Sequence, residues 1–248
     1  MKQFIKTLLW RLRYARAMTA PELQLHGSVC ILAPHPDDEA LGCGGLISHL
    51  CATGNYPHVV IMTGGGGSLR GHSDISEDIV VTERRKLTLK SAKALGLPEE
   101  NVHFLDFIDG SIIDRPESEI SRLRNLITEI KPSAIFVPHN GEGWPDHLAT
   151  RRIGIDLANQ LTAVPKPDIY EYCVWMWYYN VWSLDWKNAY KFKMSPAEHE
   201  AKLRAVHAYI DAKAPDGSPW SGFLPKAFLR ANTARTELFF KLTPSSLS

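Results

Sequence analysis

The chain has 248 residues, of which 44% are hydrophobic and 22% are charged, a composition typical of a folded globular protein. Its 28 basic and 27 acidic residues leave a formal charge of +1. This balance argues against a general nucleic-acid-binding protein, which needs an excess of basic residues to neutralise phosphates. No apolar run approaches the about 20 residues that span a bilayer.

The first sixteen residues predict a basic amphipathic helix, assigned to residues 1–20, ahead of a single domain over residues 21–248. They contain five basic residues and no acidic one, and Phe4, Leu8 and Leu12 recur at helical spacing. Either this apolar stripe docks on the domain, or residues 1–16 lie on an anionic membrane surface as a peripheral contact. The segment is a poor signal peptide because charges flank a short apolar stretch on both sides.

The remaining elements alternate between strands and helices. Short apolar runs rich in β-branched residues predict buried strands over residues 28–33, 58–63, 102–105 and 134–138. Helical patterns cover residues 39–53, 75–95, 117–130, 145–161 and 196–210. An aromatic strand or strand pair is predicted over residues 169–182, after a turn at residues 164–168, and a Pro/Gly/Trp-rich tail ends the chain. This alternation predicts an α/β fold with a parallel sheet covered on both faces.

The cysteines favour a reducing compartment. They form no C-x-x-C pair and no zinc-finger spacing, and Cys30 lies within an apolar run where a buried free thiol is expected. We therefore expect a cytoplasmic protein rather than a secreted disulfide scaffold.

Two predicted loops after strands carry metal-binding side chains. His35, Asp37 and Asp38 follow the first strand, and His147 belongs to the loop after the fourth. Ligands of doubly wound sheets bind at the carboxyl ends of the strands. His35 and a carboxylate three residues later can bind one ion together with His147, leaving positions open for water as in catalytic zinc sites. The spare carboxylate can accept the proton of that water.

Other functions fit these segments less well. Two acidic residues at a helix start also interact favourably with the helix dipole, although this does not explain the histidines. Residues 64–71 fit no G-x-G-x-x-G register, and a phosphate loop would need a lysine at His72. Ser221 lacks a nucleophile elbow, so serine hydrolysis has no support. The glycine-rich residues are interpreted as a flexible rim or lid beside the metal.

Residues 33–39, Ala-Pro-His-Pro-Asp-Asp-Glu, with Gly42-Cys43-Gly44-Gly45, resemble the motif of the PIG-L/LmbE-like family of zinc-dependent N-acetylglucosaminyl deacetylases. Residues 145–147, Pro-Asp-His, are similar to the end of that family's His-Pro-Asp-His motif, and the resemblance runs roughly from residue 28 to residue 207. It implies a Rossmann-like, doubly wound α/β fold with a mainly parallel sheet and helices on both faces. It also implies zinc-dependent removal of an N-acetyl group from an amino sugar or its conjugate.

The resemblance assigns roles by position. His35, Asp38 and His147 would bind one zinc ion, which Fe²⁺ could replace, and Asp37 would be the general base. Asp146 would orient a neighbouring catalytic group. Arg84 and Asp109 occupy positions that hold the sugar hydroxyls in similar enzymes, and we add Trp144 and His139 to the predicted substrate-binding residues.

The sequence departs from the family at Trp144, which stands where a histidine credited with stabilising the oxyanion is usual. An indole donates only one hydrogen bond, so His139 or Glu142 could substitute, zinc could carry more of the task, or the enzyme is slow. Residues 63–67 lack the acidic residue common after the second strand, and Leu87 replaces a frequent glutamate. The alternatives are therefore a metal-dependent hydrolase of another amide or ester, and a weakly catalytic zinc- and glycan-binding module.

An aromatic cluster lies in the second half of the chain. These residues could form part of the hydrophobic core, line the interface of a homo-oligomer, or stack against a sugar. Its members are Trp175, Trp177, Tyr178, Tyr179, Trp182 and Trp186.

The expected partner is a small molecule or glycan with an N-acetyl amino sugar, and no nucleic acid. His207 lies in a weaker late motif of the family resemblance.

Overall fold

The apolar runs of the sequence form one seven-stranded sheet in a computed structural model that describes residues 2–161, 166–178 and 184–243. Within residues 2–7 only the backbone is described. The strands are β1 Val29–Ala33, β2 His58–Thr63, β3 Val102–Phe107, β4 Ala134–Pro138, β5 Asp168–Tyr172, β6 Ala189–Lys193 and β7 Thr236–Lys241.

The α-helices of the described residues occupy the segments between and around these strands. They are α1 Lys2–Ala17, α2 Asp38–Ala52, α3 Glu77–Leu95, α4 Glu117–Ile130, α5 Pro145–Gln160, α6 Pro196–Ile210 and α7 Lys226–Asn232. The predicted bounds of β2, β4, α4 and α6 agree with the structure, because each has a clear apolar pattern and a proline or glycine near its end.

The strand order is β3-β2-β1-β4-β5-β7-β6, with the first five strands parallel and β7 antiparallel to both neighbours. Alternate residues of β1 enter two separate cores. Ile31 packs in the core that contains residues of α2 and α6, and Leu32 packs in the core with α4 and α5. The predicted mainly parallel α/β sheet with helices on both faces is confirmed. All four cysteines are free and buried.

The C-terminal part differs from the prediction. The strand predicted over residues 169–182 ends at Tyr172 and is followed by a short 3₁₀ turn at Trp175–Trp177. The predicted tail contains α7 and β7, and β7 lies inside the sheet between β5 and β6. A six-residue strand whose partners are distant in sequence has little local pattern to distinguish it. The turn residues Val164 and Pro165, and the aromatic residues Tyr179 and Trp182, lie outside the described residues.

Helix α1 contacts the rest of the chain through a face other than the predicted stripe. Ala17 is buried, and Arg13 Nη1 donates to the carbonyl oxygen of Met176 at 3.1 Å. Leu8 and Leu12 are 47% and 60% exposed, so these two members of the stripe do not dock on the sheet. Peripheral membrane contact of this helix stays a prediction. In the part of the chain that is described, no helix has the length and apolar character needed to cross a bilayer.

Candidate active site

A cavity of about 440 Å³ opens at the carboxyl ends of β1 and β4. These strands are parallel neighbours, but α2 leaves β1 toward one face of the sheet and α5 leaves β4 toward the other. This divergence creates the crevice in which doubly wound folds bind ligands. The loops after β1 and β4 therefore face each other across the cavity.

His35, Asp38 and His147 bring one ligand atom each to the floor of this cavity. Asp38 Oδ2 lies 3.3 Å from His35 Nδ1 and 3.4 Å from His147 Nε2, and the three donor atoms lie within 4.8 Å of one another. Asp38 and His147 are almost fully buried. These contacts join the start of α2 to the start of α5.

The donor set fits a zinc ion. Tetrahedral coordination with bonds of about 2.0–2.1 Å places neighbouring ligand atoms about 3.4 Å apart, close to the two separations seen here. Two imidazole nitrogens and one carboxylate oxygen are also the ligand types of catalytic zinc sites. The described residues thus contain a group that could hold a metal ion and leave a position open toward the cavity.

The other nitrogen of His35 is held by two carboxylates. Nε2 lies 3.1 Å from Asp109 Oδ1 and 3.2 Å from Asp146 Oδ2. Asp146 is itself fixed, because it accepts hydrogen bonds from the backbone N–H groups of Gly110 (2.7 Å) and Ile112 (3.2 Å). Burial alone would lower the pKa of His35, but its contacts with Asp109, Asp146 and Asp38 raise it well above 6.5. Carboxylates behind a metal-binding histidine fix its ring orientation and tautomer.

Asp37 lies beside the ligand group as a buried acid at the start of α2. Its φ of 109° is rare for a residue other than glycine, and strained backbone of this kind is often found at functional sites. Burial raises the pKa of its carboxyl to about 8, Arg84 opposes the shift, and Asp38 and Glu39 add to it.

Arg84 and Asp109 line the cavity and also bond to the protein. Arg84 Nη2 donates to Asp37 Oδ2 at 3.0 Å and to the Pro36 carbonyl oxygen, and Nη1 donates to the Gly65 carbonyl oxygen at 3.0 Å. Its buried Nε–H has no hydrogen-bond partner in the described part of the chain. Asp109 Oδ2 accepts from the N–H of Gly67 at 2.6 Å. The glycine-rich segment is thereby bonded to the site it borders.

Trp144 stands at the cavity wall, 44% exposed, with its ring 5.6 Å from that of Trp175 in an edge-to-face arrangement. Trp175 packs on Phe228 of α7, with ring centroids 4.1 Å apart. The lining of the cavity therefore combines aromatic side chains with charged ones. Of the predicted aromatic cluster, Trp175 lines the cavity, whereas Trp177 is buried elsewhere. The contribution of α7 gave no local sequence signal, because Phe228 lies 81 residues beyond His147.

His139 is not on the cavity wall, contrary to its assignment to the substrate. Its ring is buried against Phe240, with centroids 4.8 Å apart, and Nδ1 accepts from the N–H of Gly141 at 2.8 Å. Burial, together with Arg151 and Arg13, lowers its pKa to about 4. It is therefore a neutral core histidine.

Glu142 cannot replace the missing oxyanion donor either, since it is fully buried and its oxygens accept backbone hydrogen bonds. His207 of the late motif is exposed on α6, where it pairs with Asp211. Ser221, from the Pro/Gly/Trp-rich segment, does reach the cavity wall.

Among curated proteins, the chain is similar to a putative glucosamine-6-phosphate deaminase-like protein of Bacteroides thetaiotaomicron. Identity is 26% over 234 residues, covering 72% of this chain and 34% of that protein. It is also similar to a diacetylchitobiose deacetylase of Thermococcus kodakarensis, with 29% identity over 132 residues, 52% of this chain and 48% of that protein. The alignments thus span half or less of the length of these relatives.

The fold is that of the N,N'-diacetylchitobiose deacetylase of Pyrococcus horikoshii, solved with an inhibitor. The TM-score is 0.60 at 23% identity, covering 76% of this chain and 72% of that one. The family described as GlcNAc-PI de-N-acetylase, PIG-L, matches residues 30–158, just over half of the chain, and this range includes His35, Asp38 and His147. The chain therefore belongs to the PIG-L family.

Proposed function

We propose that this protein is a zinc-dependent hydrolase that removes the N-acetyl group from an N-acetylglucosamine-type amino sugar or its conjugate. The observation that carries the proposal is the convergence of His35, Asp38 and His147 at zinc-ligand spacing, beside the buried acid Asp37. The family description and the deacetylase relative support the reaction. One ion is expected, and Fe²⁺ could take the place of zinc.

The residues divide the chemistry between them. The bound ion would polarise the acetyl carbonyl and lower the pKa of a water molecule. Asp37 would accept the proton of the attacking water and donate it to the amine nitrogen as the C–N bond breaks, leaving acetate and a free amine. Asp146 would keep the ring of His35 in its binding orientation.

The cavity is lined by both aromatic and charged side chains, a combination that suits the apolar face and the hydroxyl groups of a sugar. Its volume is near the small end of the roughly 300–1,000 Å³ of ligand sites, which favours a single acetylated ring inside it. Asp109 and Arg84, which line the cavity, would bind hydroxyl groups of the sugar. Trp144 and Trp175 offer aromatic faces and edges to the less polar side of the ring or to an attached group.

Trp144 also favours a second candidate, a module that holds zinc and a glycan with little turnover. Removal of one oxyanion donor typically reduces the rate by about 10²–10³-fold, and no imidazole donor stands at this position. Hydrolysis of another amide or a small ester is the further enzymatic alternative, since the same groups would attack either carbonyl.

The test combines metal analysis with acetate release from a panel of N-acetylglucosamine conjugates and non-sugar amides. We expect one zinc ion per chain and preference for the sugars. Asp37→Ala should retain zinc and lose turnover by about 10²–10⁴-fold, whereas His147→Ala should lose both. His207→Ala, exposed and away from the cavity, is the control and should match the parent. Equal activity in Asp37→Ala and the parent would falsify the proposal.

A further inference from the structure

Glu142 is a buried carboxylate to which the proposed reaction assigns no task. It lies in the loop between β4 and α5 and is 0% exposed. Oε1 accepts from the N–H groups of Val174 (2.8 Å) and Met176 (3.2 Å), and Oε2 accepts from the N–H of Trp175 (2.6 Å). A buried carboxylate is tolerated only when it is hydrogen-bonded in this way. Its first effect is to hold the backbone that presents Trp175 to the cavity.

The same carboxylate faces the ring of His147. Glu142 Oε2 lies 3.4 Å from His147 Nδ1, while Nε2 on the opposite side of the ring lies 3.4 Å from Asp38 Oδ2. Nδ1 is buried, and nothing in the described residues meets full hydrogen-bond geometry with it. The ring therefore lies between Asp38 on one side and Glu142 on the other.

We infer that Glu142 is a positioning residue that sets the tautomer of His147 and, through one carboxylate, joins the metal site to the aromatic wall. A proton on Nδ1 facing Glu142 leaves the lone pair of Nε2 free for an ion, the arrangement by which outer carboxylates tune metal-binding histidines. The role of the ion rests on the proposed function, but the tautomer of His147 does not.

Glu171 provides a matched comparison at the same end of the sheet. It is also a buried glutamate near a histidine, with Oε2 3.7 Å from His139 Nε2, and it bonds to Arg151. Neither Glu171 nor His139 lines the cavity. Removing its charge therefore disturbs a buried carboxylate without touching the ligand group.

The experiment compares the parent, Glu142→Gln and Glu171→Gln by two measurements. Imidazole nitrogen chemical shifts of His147 report its tautomer in the metal-free protein, at a pH where the ring is neutral. Competition with a chromophoric chelator gives the dissociation constant for zinc. We expect the proton on Nδ1 in the parent and in Glu171→Gln. In Glu142→Gln we expect a shift toward Nε2–H and a zinc affinity lower by about 10–100-fold.

Glu142→Asp separates positioning from a purely structural role, because it keeps the charge with a shorter side chain. It should restore the Nδ1 tautomer and part of the zinc affinity. A proton on Nε2 in the parent, or parent-like tautomer and affinity in Glu142→Gln, would overturn the inference and leave the proposed function standing. Absence of zinc binding in the parent would instead refute the proposed function, while the tautomer measurement would still decide the inference.

Discussion

Replacing His139 by asparagine should make the stability of the protein less sensitive to acid. The pKa of this buried histidine is lowered from 6.5 to about 4, so the unfolded chain binds a proton between these values that the folded chain does not. The free energy of unfolding therefore decreases as the pH falls below 6.5. At 1.36 kcal/mol per pH unit, His139 costs the native state about 2.5 kcal/mol at pH 4.5 and nothing at pH 7.5.

The asparagine side chain can accept the Gly141 N–H in place of Nδ1, but it loses the packing on Phe240. We expect the variant to be less stable than the parent at pH 7.5 by about 1–2 kcal/mol. At pH 4.5 the difference should have moved by about 2.5 kcal/mol, so that the variant is the more stable protein by about 0.5–1.5 kcal/mol, as measured by urea unfolding followed by circular dichroism. A constant difference over this range would show that His139 does not stay neutral in the folded state.

Two further predictions concern the second loop and the helix that follows it. Trp144→His should raise KM for conjugates by about three- to tenfold because stacking is lost, with kcat nearly unchanged; a hundredfold gain in kcat would favour the weakly catalytic module. In Gly154→Ala, a new Cβ would lie 2.6 Å from Val137 Cγ1 and 3.0 Å from Leu32 Cδ1, pushing α5 from the sheet. We expect a loss of about 1 kcal/mol despite the gain in helix propensity, seen as a lower Tm, and unchanged or raised Tm would contradict the tight packing.

Local sequence was sufficient for the elements that carry the site. The sequence predicts β1 and β4 from their apolar runs, and it predicts helices that start close to Asp38 and Pro145. These predictions are possible because strand and helix periodicities, and the effect of proline, depend on residues close together in the chain. The family resemblance at residues 33–39 and 145–147 also depends on sequence alone.

Local sequence does not predict the direction in which each side chain points. His139 and Glu142 lie in the loop that leads into α5 and His147, yet His139 turns into the core against Phe240 and Glu142 turns toward residues 174–176. Such choices depend on partners more than 30 residues away, so a polar residue near a motif is not by itself evidence of a role in the reaction.

The sequence by itself determined the α/β class, the order of the main elements and the chemical type of the two loops, since these depend on patterns between near neighbours. Only the tertiary structure decided that β7 enters the sheet, that Asp109 and Asp146 contact Nε2 of His35, and that Trp175 and Phe228 line the same cavity. These features arise when distant segments meet, and the burial and hydrogen bonding that select them exist only in the packed chain.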